Sequence, residues 1–170
     1  MSEVRDRIAG HVGEHPGIHF NALVRALDLA PGQTQYHLKR LHSTGAIVAE
    51  PLYGRTHYYS PAYDDWERGA LALLRRETAG DVVTILLARG PSPSGVVADE
   101  LDIARSTLEW HLDRLVEGGL VTKRRDTDGR VTLVLARPDD TARLLSLVTS
   151  SLPERLLDRY TRLVDRLLAE

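Results

Sequence analysis

The chain has no cysteine, and among its 170 residues there is one methionine and one phenylalanine. The absence of cysteine excludes disulfides, thiolate metal sites and cysteine nucleophiles, and it predicts a cytoplasmic protein. Long hydrophobic runs are missing too. The longest, Val82-Val83-Thr84-Ile85-Leu86-Leu87-Ala88, is far short of the ~20 residues of a membrane span, so no membrane partner is expected. No basic, apolar, small-residue leader opens the chain, and nothing points to secretion. A surplus of positive charge is also lacking: 22 basic residues face 24 acidic ones, for a net charge of -2. Nucleic-acid-binding domains are often strongly basic, so the mean charge argues against a dominant nucleic-acid field. There is no Gly-rich phosphate loop, no Gly-x-Ser-x-Gly elbow and no His-Glu-x-x-His helix. No enzyme activity, catalytic residue or cofactor is therefore predicted. What remains, 42% hydrophobic and 27% charged, is the composition of a globular protein.

What is present is a repeat. Shifting the chain by 74 positions lays Leu27-Asp28-Leu29-Ala30 on Leu101-Asp102-Ile103-Ala104 without a gap. The same shift lays Tyr36-His37-Leu38-Lys39-Arg40-Leu41 on Trp110-His111-Leu112-Asp113-Arg114-Leu115, and Gly45 on Gly119. Two copies are too few for a solenoid, which leaves two homologous small domains.

Each copy has the same local grammar. Val4, Ile8 and Val12 give helical spacing that Pro16-Gly17 ends. Phe20 to Leu27 predicts a short helix, Ala30-Pro31-Gly32 a turn, and residues 32–44 a second helix stopped by Gly45. Ile47–Leu52 and His57–Ser60 read as strands around Tyr53-Gly54-Arg55. The second copy predicts helices over Asp81–Arg89, Ser94–Leu101 and Arg105–Gly118, then a hairpin turned by Asp126-Thr127-Asp128-Gly129. The fold class is therefore mainly α with small β-hairpin wings (α+β): two tandem winged helix-turn-helix domains and a C-terminal helical tail. The expected domains are 1–62, a helical linker 63–78, a second winged domain 79–137, and C-terminal helices 138–170.

Three segments carry a resemblance: His15-Pro16-Gly17-Ile18-His19-Phe20, Pro31-Gly32-Gln33-Thr34-Gln35-Tyr36-His37-Leu38-Lys39-Arg40-Leu41, and Gly54-Arg55-Thr56-His57-Tyr58-Tyr59. They resemble archaeal winged helix-turn-helix transcriptional regulators, and the tandem arrangement looks like that of haloarchaeal two-domain regulators. The His-Leu-Lys-x-Leu-x-x-x-Gly core is similar to the ArsR and MarR superfamilies. The resemblance implies sequence-specific binding of double-stranded DNA. The cysteine ligands of metal-sensing ArsR members are missing here.

A winged helix places its longer helix in the major groove and its hairpin against the backbone. With Thr34, Leu38 and Leu41 inward, helical geometry turns Gln33, Gln35, Tyr36, Lys39 and Arg40 outward. Gln can pair with adenine, and Arg or Lys with guanine, while Tyr can meet a phosphate. Arg55 and His57 are expected at the wing. In the second copy the candidates are Arg105 and Thr107 on the helix and Lys123, Arg124, Arg125 and Arg130 on the wing. Glu109 and Asp113 make that helix a poorer reader. Trp110 offers a protein contact instead, and with it the alternative of a tandem winged-helix protein adaptor in a transcription or chromosome-maintenance assembly. Locally the charge is less forbidding than its mean. Pro31–His57 carries Lys39, Arg40 and Arg55 against Glu50 alone, and Val121–Val131 carries Lys123, Arg124, Arg125 and Arg130 against Asp126 and Asp128.

His11 and His15 flank Glu14, but a metal site needs three or four convergent ligands, so none is predicted. His37 and His111 recur at the buried edge of equivalent helices, which suits a structural hydrogen bond. Pro138-Asp139-Asp140 predicts a helix start, and Pro153 another. Leu156, Tyr160, Leu163, Val164 and Leu167 then form a wide apolar stripe, which either docks on its own chain or pairs two chains. A homodimer is expected, because a two-fold matches a palindromic site.

Overall fold

The computed structural model describes residues 2–152 and 154–169. The expected helix start at Pro153 lies outside them. The chain divides into two compact units, Met1–Ala72 and Leu73–Glu170.

In the first unit, α1 (Glu3–Glu14) starts at Ser2, whose Oγ accepts from the Arg5 N–H at 3.5 Å. Glu3 and Asp6 in its first turn complement the helix dipole. α1 packs on α3 (Pro31–Ser43) and on α2 (Phe20–Leu27). Ile8, Val12, Leu23, Leu38 and Leu41 close the core with Ile47 and Tyr58. Asp28 turns the chain out of α2 in the left-handed region at φ 52°, and Asp102, its repeat equivalent, does the same at φ 53°. The α3 helix ends as predicted: Gly45, at φ +77°, lets its own N–H reach His42 O and the Ala46 N–H reach Leu41 O.

β2 (Val48–Leu52) and β3 (Arg55–Tyr59) form the wing, joined by Tyr53 and Gly54. Both turn residues are left-handed (φ 47° and 82°), the geometry of a type I′ hairpin. Arg55 is thus the first residue of β3 rather than part of the turn, paired with Leu52. β3 also pairs with a strand the sequence did not signal, β1 (Ile18–His19), giving the order β1-β3-β2.

α4 (Asp65–Leu74) opens with a reciprocal capping box. Glu67 N–H donates to Asp64 Oδ1 at 2.8 Å, and Asp64 N–H to Glu67 Oε1 at 3.0 Å. Tyr59 OH reaches the Arg68 carbonyl at 2.6 Å, and Arg68 Nε the Glu50 carboxylate at 2.9 Å. The helix stops at Leu74, and α5 (Glu77–Arg89) starts one turn earlier than its apolar spacing predicts.

The second unit repeats the plan with α5, β4 (Ser92–Pro93), α6 (Ser94–Leu101), α7 (Arg105–Glu117), β5 (Val121–Arg125) and β6 (Val131–Leu135), in sheet order β4-β6-β5. Gly119 ends α7 as Gly45 ends α3, its N–H on Val116 O and the Leu120 N–H on Leu115 O. At the wing tip the Asp126 carboxylate accepts from the Asp128 and Arg130 N–H groups at 2.9 Å, and Gly129 takes φ +80°. Two further helices follow, α8 (Pro138–Thr149) and α9 (Glu154–Ala169). Residues 79–86 of α5 are buried all round, and α6, α7, α8, α9 and β6 all pack on that helix. Among the described residues, no helix is long and apolar enough to cross a membrane. Each unit is a winged helix-turn-helix, and the second carries the tail.

The apolar stripe of α9 lies on its own unit. Leu163 and Leu167 are buried, whereas Leu156, Tyr160 and Val164 are half-buried. Arg159 bridges Glu77 (2.7 Å) and Asp81 (2.6 Å), and Arg166 grips both the side chain and the carbonyl of Glu100. So two of the five residues expected at a dimer seam are used within the chain.

Candidate nucleic-acid interface

The α3 helix turns Thr34, His37, Leu38 and Leu41 into the core. Gln33, Gln35, Tyr36, Lys39 and Arg40 are all exposed, with Tyr36 at 55%. No acid lies in α3 or β3. Lys39, Arg40 and Arg55 form no ion pair among the described residues, so their charge faces solvent undiminished. A groove runs beside this helix, lined by His19, Asn21, Gln35, Gly54, Arg55 and Thr56. It brings Gln35 of the helix and Arg55 of the wing to one opening. Asn21 and Thr56 were not foreseen there. Asn21 sits at the start of α2, whose N-terminus lacks a side-chain cap, and its exposure beside the longer helix depends on how the two helices cross.

His57 does not belong to this surface. It is 1% exposed, and its Nδ1–H donates to the Gly17 carbonyl at 2.7 Å. The bond ties β3 to the turn before β1, so the ring serves the sheet and cannot reach a phosphate. His37 takes the structural role expected: its Nδ1 accepts from Arg5 Nε at 3.4 Å, joining α3 to α1. His11 and His15 stack at 3.9 Å, with His15 Nδ1 on the His11 carbonyl at 2.9 Å. Among the described residues no group of three potential metal ligands converges.

The second unit presents a different surface from the same plan. Arg105 and Thr107 are exposed at the start of α7, and the Arg105 guanidinium folds over Gly95, occupying the place of a side chain there. Lys123 is not free: its Nζ lies 2.6 Å from Glu109 Oε2, across from β5 to α7. Arg124, Arg125 and Arg130 remain exposed at the wing, with no ion pair among the described residues. Trp110 is 49% exposed and covered on one face by Arg114, whose guanidinium sits 3.3 Å from the ring centre. The same Arg114 donates to the Trp110 carbonyl at 3.0 Å. A cation stacked this way on an indole is held in place.

Comparison with known proteins agrees with this division. Residues 2–71 match a family model described as an N-terminal HTH domain, and residues 73–124 match one described as a helix-turn-helix domain. No curated protein sequence matches the chain. Among solved structures, the chain is similar to overoxidized AbfR bound to DNA, at 15% identity and a TM-score of 0.43, over 80% of this chain and 92% of that one. It is also similar to reduced AbfR bound to DNA, at 16% identity and a TM-score of 0.42, over 82% and 94% of the two chains. At this distance both are loose likenesses of shape.

Proposed function

We propose that this protein, with two helix-turn-helix domains in tandem, is a sequence-specific DNA-binding transcriptional regulator of the cytoplasm and not an enzyme. The observation that carries the reading is the outer face of α3. It is polar, basic and free of acids, and it opens onto a groove shared with wing residue Arg55. Side-chain amides and cations on an exposed helix are the groups that read base edges in a major groove. Gln33, Gln35, Tyr36, Lys39 and Arg40 supply readout and register in this assignment. Arg55, Arg124, Arg125 and Arg130 meet the sugar-phosphate backbone. Arg105 and Thr107 border the second helix's approach to it.

The test is binding to the protein's own upstream duplex and to random duplex at two salt concentrations. Gln35→Ala is expected to lower discrimination by about 1–3 kcal/mol, while Arg125→Ala lowers the salt slope by about one without changing preference. Equal, sequence-blind losses from both would sink the division of labour. Absence of any shift at low salt favours the second reading, a protein adaptor. Trp110 supports that reading, because a half-exposed indole amid Glu109, Asp113 and Glu117 is unusual for a phosphate-facing helix. A homodimer completes the proposal, since one small reader per chain gains specificity when two act on a two-fold site.

A further inference from the structure

The repeat lets one position be examined twice. Gln35 of α3 corresponds to Glu109 of α7, Ala49 of β2 to Lys123 of β5, and Arg40 to Arg114. In the first unit, Gln35 and Arg55 line an open groove. In the second, an acid stands where the amide stood, a lysine where the alanine stood, and the two meet at 2.6 Å. Two cations beside the outer face of α7 are withdrawn, Lys123 onto Glu109 and Arg114 onto Trp110, while Arg105 at the helix start lies over Gly95. Asp113 and Glu117 remain exposed on the same helix.

We propose that Glu109 is a specificity-determining residue that closes the second helix-turn-helix to base readout by holding Lys123, leaving the first unit as the one base reader of the chain. The inference rests on the DNA-binding reading above. A duplex approaching α7 meets Glu109 and Asp113 about one turn apart, ~6 Å along the helix and inside a single screening length of ~8 Å at physiological salt. Lys123 can serve a phosphate only by letting go of Glu109, which then faces the duplex as an uncompensated acid. The pair is partly exposed, so the fold does not depend on it. Arg124, Arg125 and Arg130 lie outside the bridge and still offer a sequence-blind grip. The arrangement spares the chain a second recognition helix with its own, competing preference.

The test is fluorescence anisotropy on a labelled random-sequence duplex between 50 and 200 mM salt, roughly the range over which phosphate contacts weaken steeply. Glu109→Gln restores the residue of the first repeat and frees Lys123. It is expected to tighten low-salt binding about three- to tenfold and to steepen the log K against log salt slope by about one. Asp113→Asn removes the same charge without freeing a lysine and leaves the slope unchanged. In Glu109→Gln/Lys123→Ala the slope returns to the wild-type value. A Glu109→Gln slope equal to wild type, or one that survives loss of Lys123, overturns the gate while leaving wild-type DNA binding in place. If neither wild type nor Glu109→Gln binds at the lowest salt, the DNA-binding reading falls and the gate with it.

Discussion

At the scale of residues, the repeat shows which side chains the fold needs and which it only tolerates. His37 and His111 occupy the same place, but only His37 has its bond, because Arg5 becomes Ala79 in the second unit. His111 Nδ1 is buried with no hydrogen-bond partner among the described residues. Burial, then Arg114 and Arg76, push its pKa below the ordinary 6.5. The sign follows. As pH falls through 6.5, the unfolded chain takes up the proton first, so stability is lost on acidification. His111→Gln is expected to reduce the fall in melting temperature between about pH 7.5 and 5.5, a window that spans histidine titration. An unchanged fall removes the argument. These residue roles were only partly legible in the sequence. A recurring histidine beside a core leucine signalled a seam, and the seam is there. Nothing local distinguished His57, expected at the wing, from a buried ring whose Nδ1–H is taken by the Gly17 carbonyl. Nor could spacing along the chain show Lys123 meeting Glu109, since that contact depends on where β5 lies against α7.

At the scale of elements, the long helices and both hairpins were legible because each has a periodic apolar face and a turn with its own chemistry. Gly45, Gly119, Tyr53-Gly54 and Asp126–Gly129 are local signals that survive any tertiary arrangement. β1 and β4 were not, since two residues cannot show a period of two and Pro93 argues against a strand. The start of α5 was missed for a related reason: Ala79 and Gly80 are buried by packing rather than by an apolar pattern. α9 was legible as amphipathic, but its partner was not. Here Leu163 and Leu167 face their own unit, and Arg159 lies over Asp81, whose burial raises its carboxyl pKa against the pull of that arginine. A raised carboxyl favours the folded state at low pH and loses that contribution as pH rises through its folded pKa, opposite in sign to His111. Docking of α9 predicts unequal leucines. In urea denaturation Leu163→Ala is expected to cost about 2 kcal/mol, near the low end for a buried leucine. Leu157→Ala, at 41% exposure within the chain, is expected to cost the monomeric fold less than about 0.5 kcal/mol. Equal small costs would mean that α9 is not held by this face.

At the scale of the whole molecule, a net charge of -2 and a DNA-binding assignment are reconciled by where the charge lies. The first unit keeps its acids off α3 and the wing strand β3, and commits Glu50 to Arg68. The second unit commits Lys123 to Glu109 and Arg114 to Trp110, and its wing keeps Arg124, Arg125 and Arg130 exposed. On the proposed DNA-binding reading, non-specific affinity per chain is expected to be low, and a second reader adds specificity. The surface that α9 leaves open supplies a route to one. Leu157, Val164 and Leu168 lie 7 and 11 residues apart, on one line of the helix, and Leu168 is 77% exposed. This line is distinct from the buried Leu163–Leu167 line, so α9 can dock on its own unit and still face a second copy. Leu157→Glu/Leu168→Glu is expected to convert a dimer at micromolar concentration to a monomer in sedimentation, with an unchanged helical circular-dichroism signal. The same variant should bind a single half-site as wild type does and lose about a hundredfold or more on a duplex carrying two half-sites, because the second contact is no longer intramolecular. A wild-type chain that sediments as a monomer at that concentration, or a variant that keeps full affinity for the paired sites, would place the second reader elsewhere than on α9.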